Sequence, residues 1–410
     1  MAASACQIQG AVQNYSWGKV GNRSAVAKLC RKSQVEAVDE SKPYAELWMG
    51  THSKAPSVLM SGRTLTEFID ANQDVLGEEV CKRFGSLPFL FKVLSVAKSL
   101  SIQAHPDKKL AERLHAEQPE IYKDPNHKPE MAIALTKFEA LCGFRPLDEI
   151  LKFVDAVPEL QSVIGEKAID LLRQESRKPG ASLSTALKEC FSNLILCEES
   201  VRYKFLVQLV DRVKKMVENG DDTSKVNGDL LLRLNSNFPG DVGCFVVYFL
   251  NHVFLEPGEA LFLAANVPHA YLSGDCIECM ACSDNVVRAG LTPKLVDAAT
   301  LCSMLEYRPS SVEQQKFKPN TTDDCCELLY NPPVDDFAVI EVKVPVTFVT
   351  YAFRKYDSAS ILLFISGKAT VKDLDVEVEP GLILFVPCGS SLVLEKVNQE
   401  VIAYQATCIL

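Results

Sequence analysis

Residues 257–271 read PGEALFLAANVPHAY and residues 380–394 read PGLILFVPCGSSLVL, so one pattern occurs twice in this chain of 410 residues. Each copy opens with a Pro-Gly turn, continues as an alternating apolar strand and ends in a second turn. Near its end the first copy carries His269, where the second carries Leu392. We therefore expect two similar β units, of which only the first has a chemically reactive side chain at this point.

Repeated Pro-Gly turns that feed strands are typical of small jelly-roll barrels, the cupin architecture. Short apolar runs between turns, such as PFLFKVLSV at 88–96, occupy the first part of the chain and return after residue 240. Between them VRYKFLVQLVDRVKKMVENG (201–220) has helical periodicity, with an apolar stripe of Phe205, Leu209, Val213 and Val217.

The predicted fold class is mainly β with an α insertion, namely a bicupin of two jelly-roll β-barrels plus an inserted helical domain. We expect a discontinuous catalytic barrel from residues 1–146 and 241–310, a helical insertion at 147–240, and a C-terminal barrel without metal ligands at 311–410. The apolar run CFVVYFLNHVFL (244–255) is too short to span a bilayer and is predicted to form buried strands.

The overall charge and the cysteines restrict the class of protein. A formal net charge of −10 argues against nucleic acid or an anionic membrane as the main partner, so an anionic substrate would need a local cluster of cations. The 15 cysteines are scattered and odd in number, and MAASACQIQG lacks the features of a signal peptide. We expect a reduced, cytoplasmic protein.

The stretch SLSIQAHPDKK (99–109) predicts a strand with a polar face. In extended backbone Ser101, Gln103 and His105 point the same way, and Pro106 ends the run. Such a row binds sugar, binds metal or faces solvent. Asp107 then predicts the N-cap of a short helix.

Two further segments offer metal ligands. In YKDPNHKPEM (122–131), Lys128 and Glu130 share one face of an extended chain, and His269 lies after the turn of its Pro-Gly unit, where cupin folds place ligands. Two imidazoles, a carboxylate and the Gln103 amide would form a Zn²⁺ site with a charge near +1, suited to polarising a carbonyl.

The stretch CIECMACSDNVVRAGLTPK (276–294) contains thiols and cations. On a strand Cys276 and Cys279 point to opposite faces, so we interpret the cysteines as buried structural residues rather than a cluster site. Glu278 shares the face of Cys276. Arg288 and Lys294, together with Lys92 and Lys128, are candidates for the local positive pocket that a phosphorylated substrate requires.

YKDPNHKPE (122–130) and HAYLSGDCIECMACSDNVVRAGLTPK (269–294) closely resemble two signature segments of the type I mannose-6-phosphate isomerase (phosphomannose isomerase) family of the cupin superfamily. WGK, PYAELWMGTH and SIQAHP are also similar to that family. The resemblance implies a zinc enzyme that interconverts mannose 6-phosphate and fructose 6-phosphate. It would supply mannose 6-phosphate for GDP-mannose and glycosylation, or return mannose to glycolysis.

The resemblance also implies residue roles. One zinc ion per chain would be bound by Gln103, His105, Glu130 and His269, with Arg288 in the active site. The implied pocket lining is Trp17, Lys92, Ser101, Lys128, Tyr271, Glu278, Asp284 and Lys294. For an isomerisation through a cis-enediol we assign Arg288 an electrostatic role, because arginine stays protonated. The base is Lys128 or Glu278, and Ser101 and Lys294 are assigned to the phosphate.

Two other functions remain open at this stage. An iron-dependent cupin dioxygenase would use two histidines and one carboxylate, but Gln103 as a fourth ligand would occupy a position that oxygen needs. A non-enzymatic sugar-binding bicupin would explain the lost ligand in the second repeat, but not the cations grouped around the first. For the isomerase we expect a monomer.

Overall fold

The computed structural model describes residues 4–30, 37–177 and 183–410. In chain order its strands are β1 (Cys6–Gln9), β2 (Ala11–Gln13), β3 (Lys19–Val20), β4 (Pro43–Tyr44), β5 (Glu46–Gly50), β6 (Val58–Leu59), β7 (Phe89–Val96), β8 (Ile102–Ala104), β9 (Glu130–Ala134), β10 (Phe138–Phe144), β11 (Leu250–Leu255), β12 (Ala260–Leu263), β13 (His269–Ala281), β14 (Val287–Gly290), β15 (Lys316–Phe317), β16 (Asn320–Thr321), β17 (Glu327–Tyr330), β18 (Ala338–Val344), β19 (Thr350–Ala352), β20 (Ser360–Val371), β21 (Val376–Glu377), β22 (Ile383–Val386) and β23 (Val393–Thr407).

The helices are α1 (Ala25–Cys30), α2 (Leu65–Ala71), α3 (Glu78–Phe84), α4 (Lys108–Glu117), α5 (Leu147–Ala156), α6 (Pro158–Ile164), α7 (Glu166–Glu175), α8 (Leu183–Leu196), α9 (Glu199–Asn219), α10 (Gly228–Asn237), α11 (Gly243–Val246), α12 (Ala298–Met304) and α13 (Val312–Gln315). Helices α5 to α11 lie between β10 and β11 in the chain, within a molecule that is otherwise largely β. The predicted fold class is therefore confirmed.

The strands form two large antiparallel sheets. The first has the order β15-β12-β9-β13-β7-β5-β2, with β10 pairing with β11 and β13, and β8 pairing with β13 and β14. The second has the order β16-β17-β18-β23-β20-β22-β1-β6, with β19 on β23 and β21 on β20. Each sheet contains one Pro-Gly unit: Gly258 precedes β12 and Gly381 precedes β22, with φ of +87° and +89°. Glycine adopts such angles without strain, which explains the recurring dipeptide.

The second sheet covers the outer face of the first. All eight residues of β7 are buried, and they alternate between two cores. Leu94 packs inside the first sheet, whereas Phe89 and Phe91 pack in a cluster with Phe337 and Phe385 of the C-terminal segment. Because both faces of β7 are covered, its sequence is nearly continuously apolar and Lys92 stands out as an exception.

The helical segment covers the back of the strands that carry the polar row. Ile102 and Ala104 of β8 and Ala289 of β14 share one apolar cluster with Leu187 and Phe191 of α8. Alternation along a strand then turns the intervening residues to the interior of the first sheet. The insertion thus supplies the apolar backing for this edge of the sheet.

Two local expectations differ from the structure. Only part of 244–255 is a strand, because α11 ends at Val246 and β11 begins at Leu250. In α9 Val217 is exposed and Phe205 only partly buried, while Leu206 and Val210 are buried. Leu209 and Val213 of the predicted stripe are buried as expected, whereas its two end residues, Phe205 and Val217, lie at the edge of the buried face.

Each sheet contains strands from outside its own predicted domain range. Strands β1 and β6 pair into the second sheet, and β15 pairs with β12 of the first. The three predicted domain ranges stay a prediction, since a boundary in sequence does not follow from sheet membership alone.

Candidate metal centre

Three side chains from neighbouring strands form a row across the first sheet. Gln103 of β8 lies opposite His269 of β13 on one side and opposite Arg288 of β14 on the other. Directly paired residues of antiparallel strands share a face, with Cβ atoms about 5 Å apart. The row faces the interior, because the alternate residues of β8 pack against the helices.

His105, Glu130 and His269 meet at one end of this interior. Nε2 of His105 lies 3.4 Å from Oε2 of Glu130, and Nε2 of His269 lies 3.5 Å from the same oxygen. The side chains come from three separate segments, and each residue is at most 2% exposed. The structure therefore brings together three of the four predicted ligands, with Gln103 as the cross-strand neighbour of His269.

Backbone carbonyls orient both imidazole rings. Nδ1 of His105 lies 2.6 Å from the carbonyl oxygen of Asn285, and Nδ1 of His269 lies 2.9 Å from that of Val267. Since a carbonyl only accepts, each Nδ1 carries a proton, so Nε2 is the nitrogen of each ring that remains available to a metal. Burial lowers the pKa of His105 to about 4, which favours the neutral ring.

The electrostatics of the three groups fit a bound cation. Within the described residues, the buried Nε2 atoms of His105 and His269 have no hydrogen-bond partner. Burial alone would raise the pKa of Glu130, but the charge of Lys128 holds it well below its usual value, so the carboxylate is ionised. Two lone pairs facing a carboxylate oxygen are unfavourable unless a cation lies between them. Imidazole nitrogen and carboxylate oxygen are ligands that zinc prefers.

Lys128 and Ser101 contact the proposed ligands directly. Nζ of Lys128 lies 3.1 Å from Oε1 of Glu130, the oxygen that does not face the imidazoles. The hydroxyl of Ser101 donates to Oε1 of Gln103 at 3.0 Å. The shared faces predicted for residues 101–105 and 128–130 are consistent with these contacts.

A buried group of charges occupies the interior beside the metal ligands. Lys92 lies opposite Glu278 in the sheet, and its Nζ is 3.0 Å from Oε2 of Glu278 and 3.6 Å from Oε2 of Glu46. Trp48 packs against the same ammonium and donates to Glu46. Burial raises the pKa of Glu278, while the two carboxylates raise that of Lys92 despite its burial.

An irregularity in β13 turns Tyr271 and Glu278 towards the same space. The pairing of β10 with β13 shifts so that Glu139 pairs with Ser273 and Ala140 with Tyr271, which leaves Leu272 as an extra residue. Such a bulge reverses the alternation of side chains beyond it. Tyr271 and Cys276 consequently share one interior cluster, although their numbers differ by five.

The remaining predicted lining residues lie further out. Trp17 is partly buried and stacks on Tyr15. Asp284 is exposed and pairs with Nζ of Lys54 at 2.8 Å, and Lys294 is exposed in the turn after β14. Two carboxylates balance the charge of Lys92. Arg288 and Lys294 are therefore better placed than Lys92 to bind an anion.

Sequence reasoning missed Asn285, Glu46 and Trp48. Glu46 and Trp48 belong to PYAELWMGTH, where their spacing of two in a strand was the available signal. Asn285 was interpreted only as part of a turn. Asn285 orients His105 through a hydrogen bond between residues 180 positions apart, and a single sequence does not reveal such a contact.

The cysteines behave as predicted. Cys276 lies in the interior cluster and Cys279 in the cluster between the two sheets, so these sulfurs face away from each other. Each of the 15 cysteines is free. Across residues 4–30, 37–177 and 183–410, we find no helix with the length and apolar character needed to cross a bilayer.

Comparison with known proteins connects this geometry with one family. Models described as the catalytic domain, the helical insertion domain and the C-terminal part of type I phosphomannose isomerase match residues 6–147, 161–250 and 328–372. The mannose-6-phosphate isomerase of Rattus norvegicus is 48% identical, with 97% of each chain covered. That of Homo sapiens is 47% identical, with 98% of this chain and 97% of the relative covered.

Solved structures show the same likeness. Mannose 6-phosphate isomerase from Salmonella typhimurium bound to fructose 6-phosphate and zinc is 32% identical, with a TM-score of 0.83 and full coverage of both chains. A mannose 6-phosphate isomerase bound with zinc and yttrium is 31% identical, with a TM-score of 0.84 and full coverage of both chains.

Proposed function

This chain belongs to the type I phosphomannose isomerase family, and on that premise we propose that it interconverts mannose 6-phosphate and fructose 6-phosphate with one zinc ion per chain. The observation that carries the proposal is the pair of buried, unpartnered Nε2 atoms of His105 and His269 facing the Glu130 carboxylate. The relatives' activity and the zinc-bound and fructose 6-phosphate-bound Salmonella structure support the metal and the substrate class.

Gln103, His105, Glu130 and His269 would hold the zinc ion. One carboxylate and three neutral ligands leave the ion with a charge near +1, so when bound it supplies Lewis-acid polarisation of the sugar oxygens at C1 and C2. The carbonyls of Asn285 and Val267 hold the imidazoles in the tautomer that leaves Nε2 free. Ser101 orients the Gln103 amide through its hydroxyl.

Arg288 would stabilise negative charge during the reaction. Exchange between aldose and ketose moves a proton between C1 and C2 through a cis-enediol, and charge develops on the neighbouring oxygens. Arg288 lies in the row with Gln103 and His269. Burial lowers the pKa of its guanidinium, yet arginine remains charged in proteins. A fixed cation in a partly buried site stabilises such charge far more than it would in water.

Lys128 and Glu278 are the two groups proposed for proton transfer. Lys128 contacts the ligand Glu130, whereas Glu278 contacts Lys92 in the neighbouring group of buried charges. Burial raises the pKa of Glu278, and a raised pKa suits a carboxyl that must both accept and donate a proton near neutral pH.

Substitution of the two groups separates their roles. We expect Lys128→Gln or Glu278→Gln, but not both, to lower kcat by about 10²–10⁴-fold, the usual contribution of a general base. Because Lys128 touches Glu130, Lys128→Gln should also weaken zinc binding, while Glu278→Gln should not. Steady-state kinetics at saturating zinc and a zinc titration measure the two effects. Losses below tenfold for both variants would contradict both assignments.

The remaining lining residues are proposed to recognise the substrate. Ser101 and Lys294 would bind the phosphate, and Trp17, Lys92, Tyr271 and Asp284 would line the sugar pocket. A local cation is needed because the chain carries a net charge of −10. We further propose a cytoplasmic monomer, consistent with free thiols. It would supply mannose 6-phosphate for GDP-mannose and glycosylation, or return mannose to glycolysis.

Metal removal tests the proposed function. We expect elemental analysis to find about one zinc ion per chain, since one set of ligands converges. Dialysis against a chelator should abolish conversion of mannose 6-phosphate, and added Zn²⁺ should restore it. Stoichiometric iron in the active protein would instead favour a dioxygenase, and full activity without metal would exclude the mechanism. Mock dialysis without the chelator is the control.

A further inference from the structure

Asn285 is a buried amide in the segment between β13 and β14, and it is 3% exposed. Its Nδ2 donates to the carbonyl of Asp124 at 2.5 Å and to that of Asn126 at 2.8 Å. These carbonyls belong to the loop that leads directly into Glu130. The hydroxyl of Ser283 donates to the carbonyl of Asn126 at 3.1 Å and accepts from the backbone N–H of Asn285 at 3.2 Å.

The backbone of Asn285 contacts a second proposed ligand. Its carbonyl accepts from Nδ1 of His105 at 2.6 Å, which aims Nε2 at Glu130. Strand β14 begins two residues later, and Arg288 pairs there with Gln103. A single buried residue therefore connects the segments that carry His105 and Glu130 with the strand that carries Arg288.

From these contacts we propose that Asn285 is a positioning residue, which sets the separation between His105 and Glu130 before metal binds. The proposal rests on the proposed zinc site. The side-chain amide fixes the 124–130 segment, while the carbonyl of the same residue fixes the imidazole. Movement of one ligand relative to the other thus requires breaking buried hydrogen bonds, and a buried amide or carbonyl left unpaired is costly.

Asn285→Asp tests the proposal with almost no change in shape. The carboxylate removes both N–H donors and directs an oxygen at two carbonyls, but it leaves the backbone carbonyl in place. We expect the zinc dissociation constant, measured by competition with a chromophoric chelator, to rise by about 10–100-fold, as for other residues that orient metal ligands. In the metal-free protein, the hydrogen-bonded Nδ1 proton of His105 should shift or exchange faster in NMR spectra.

Asn251→Asp is the matched control. Asn251 is fully buried and donates to the carbonyls of Phe144 and Ser310 at 3.1 and 3.0 Å, neither of which is in a ligand-bearing segment. We expect a comparable loss of resistance to urea but less than about threefold change in zinc affinity. A folded Asn285→Asp protein with wild-type zinc affinity would overturn the proposal. A wild-type protein that does not bind zinc would overturn the proposed function instead.

Ser283→Ala provides a milder variant should Asn285→Asp fail to fold. It removes one of the three hydrogen bonds that the Ser283 and Asn285 side chains donate to the carbonyls of Asp124 and Asn126. An increase of several-fold in the zinc dissociation constant would support the positioning role, and an unchanged constant in the folded protein would refute it.

Discussion

Replacing His269 by alanine will remove zinc binding and isomerase activity together. The imidazole is 2% exposed, and its Nε2 faces the Glu130 carboxylate that His105 also faces. Loss of a direct ligand should weaken zinc binding by more than the 10–100-fold that follows loss of an orienting residue. We expect kcat to fall by at least about 10³-fold at micromolar zinc, because the remaining groups do not polarise the sugar oxygens strongly enough.

We also expect His269→Ala to change how the melting temperature depends on zinc. Zinc that binds only the folded state raises the apparent melting temperature of the wild-type protein with concentration, and this dependence should disappear in His269→Ala. His252→Ala is the matched control, because Nε2 of His252 lies 2.6 Å from a carboxylate oxygen of Glu139 and is not among the proposed ligands. It should lose stability but keep zinc and turnover. Wild-type zinc affinity in His269→Ala would refute the ligand assignment.

The local parts of this site were predictable from the sequence. Alternation placed Gln103 on the polar face of its strand and Ile102 on the apolar one, and Ile102 does pack against the helical segment. Asp107 caps α4 by accepting from the backbone N–H of Leu110 at 2.9 Å. Hydrophobic periodicity, helix caps and turns depend on residues within a few positions of one another. A single sequence therefore contains the information needed to predict them.

The convergence of His105, Glu130 and His269 did not follow from spacing. It depends on β13 pairing with both β8 and β9, and the resemblance of the motifs supplied that knowledge. The extra residue at Leu272 also escaped prediction, since a bulge leaves the local apolar pattern nearly unchanged while it reverses the faces beyond it.

The predicted apolar stripe of α9 is only partly correct, for a different reason. Phe205, Leu209, Val213 and Val217 follow a spacing of four, which drifts around a helix of 3.6 residues per turn. The buried side chains of α9 follow alternating steps of three and one, at Leu206, Leu209, Val210 and Val213. Packing against α6 and α10 on two sides selected this wider face.

Replacing Arg288 by alanine will retain zinc and lose turnover. Arg288 lies beside Gln103 but contributes no ligand atom, so the site that binds the ion is preserved. A fixed charge that acts on the developing enediol is felt mainly in the transition state, and we expect kcat to fall by about 10²–10³-fold. KM for mannose 6-phosphate should change much less, because the guanidinium is proposed to stabilise the transition state more than the bound substrate.

Arg288→Lys and Arg212→Ala complete the test of this role. Lysine keeps the charge but not the planar donors, and we expect it to restore only part of kcat. Arg212 pairs with Glu159 in the helical segment at 2.7–2.8 Å, so its removal should leave kinetics and zinc unchanged. Zinc loss in Arg288→Ala would mean that the guanidinium supports the ligands through Gln103 rather than the reacting oxygens. A rise in KM at constant kcat would instead assign Arg288 to the phosphate.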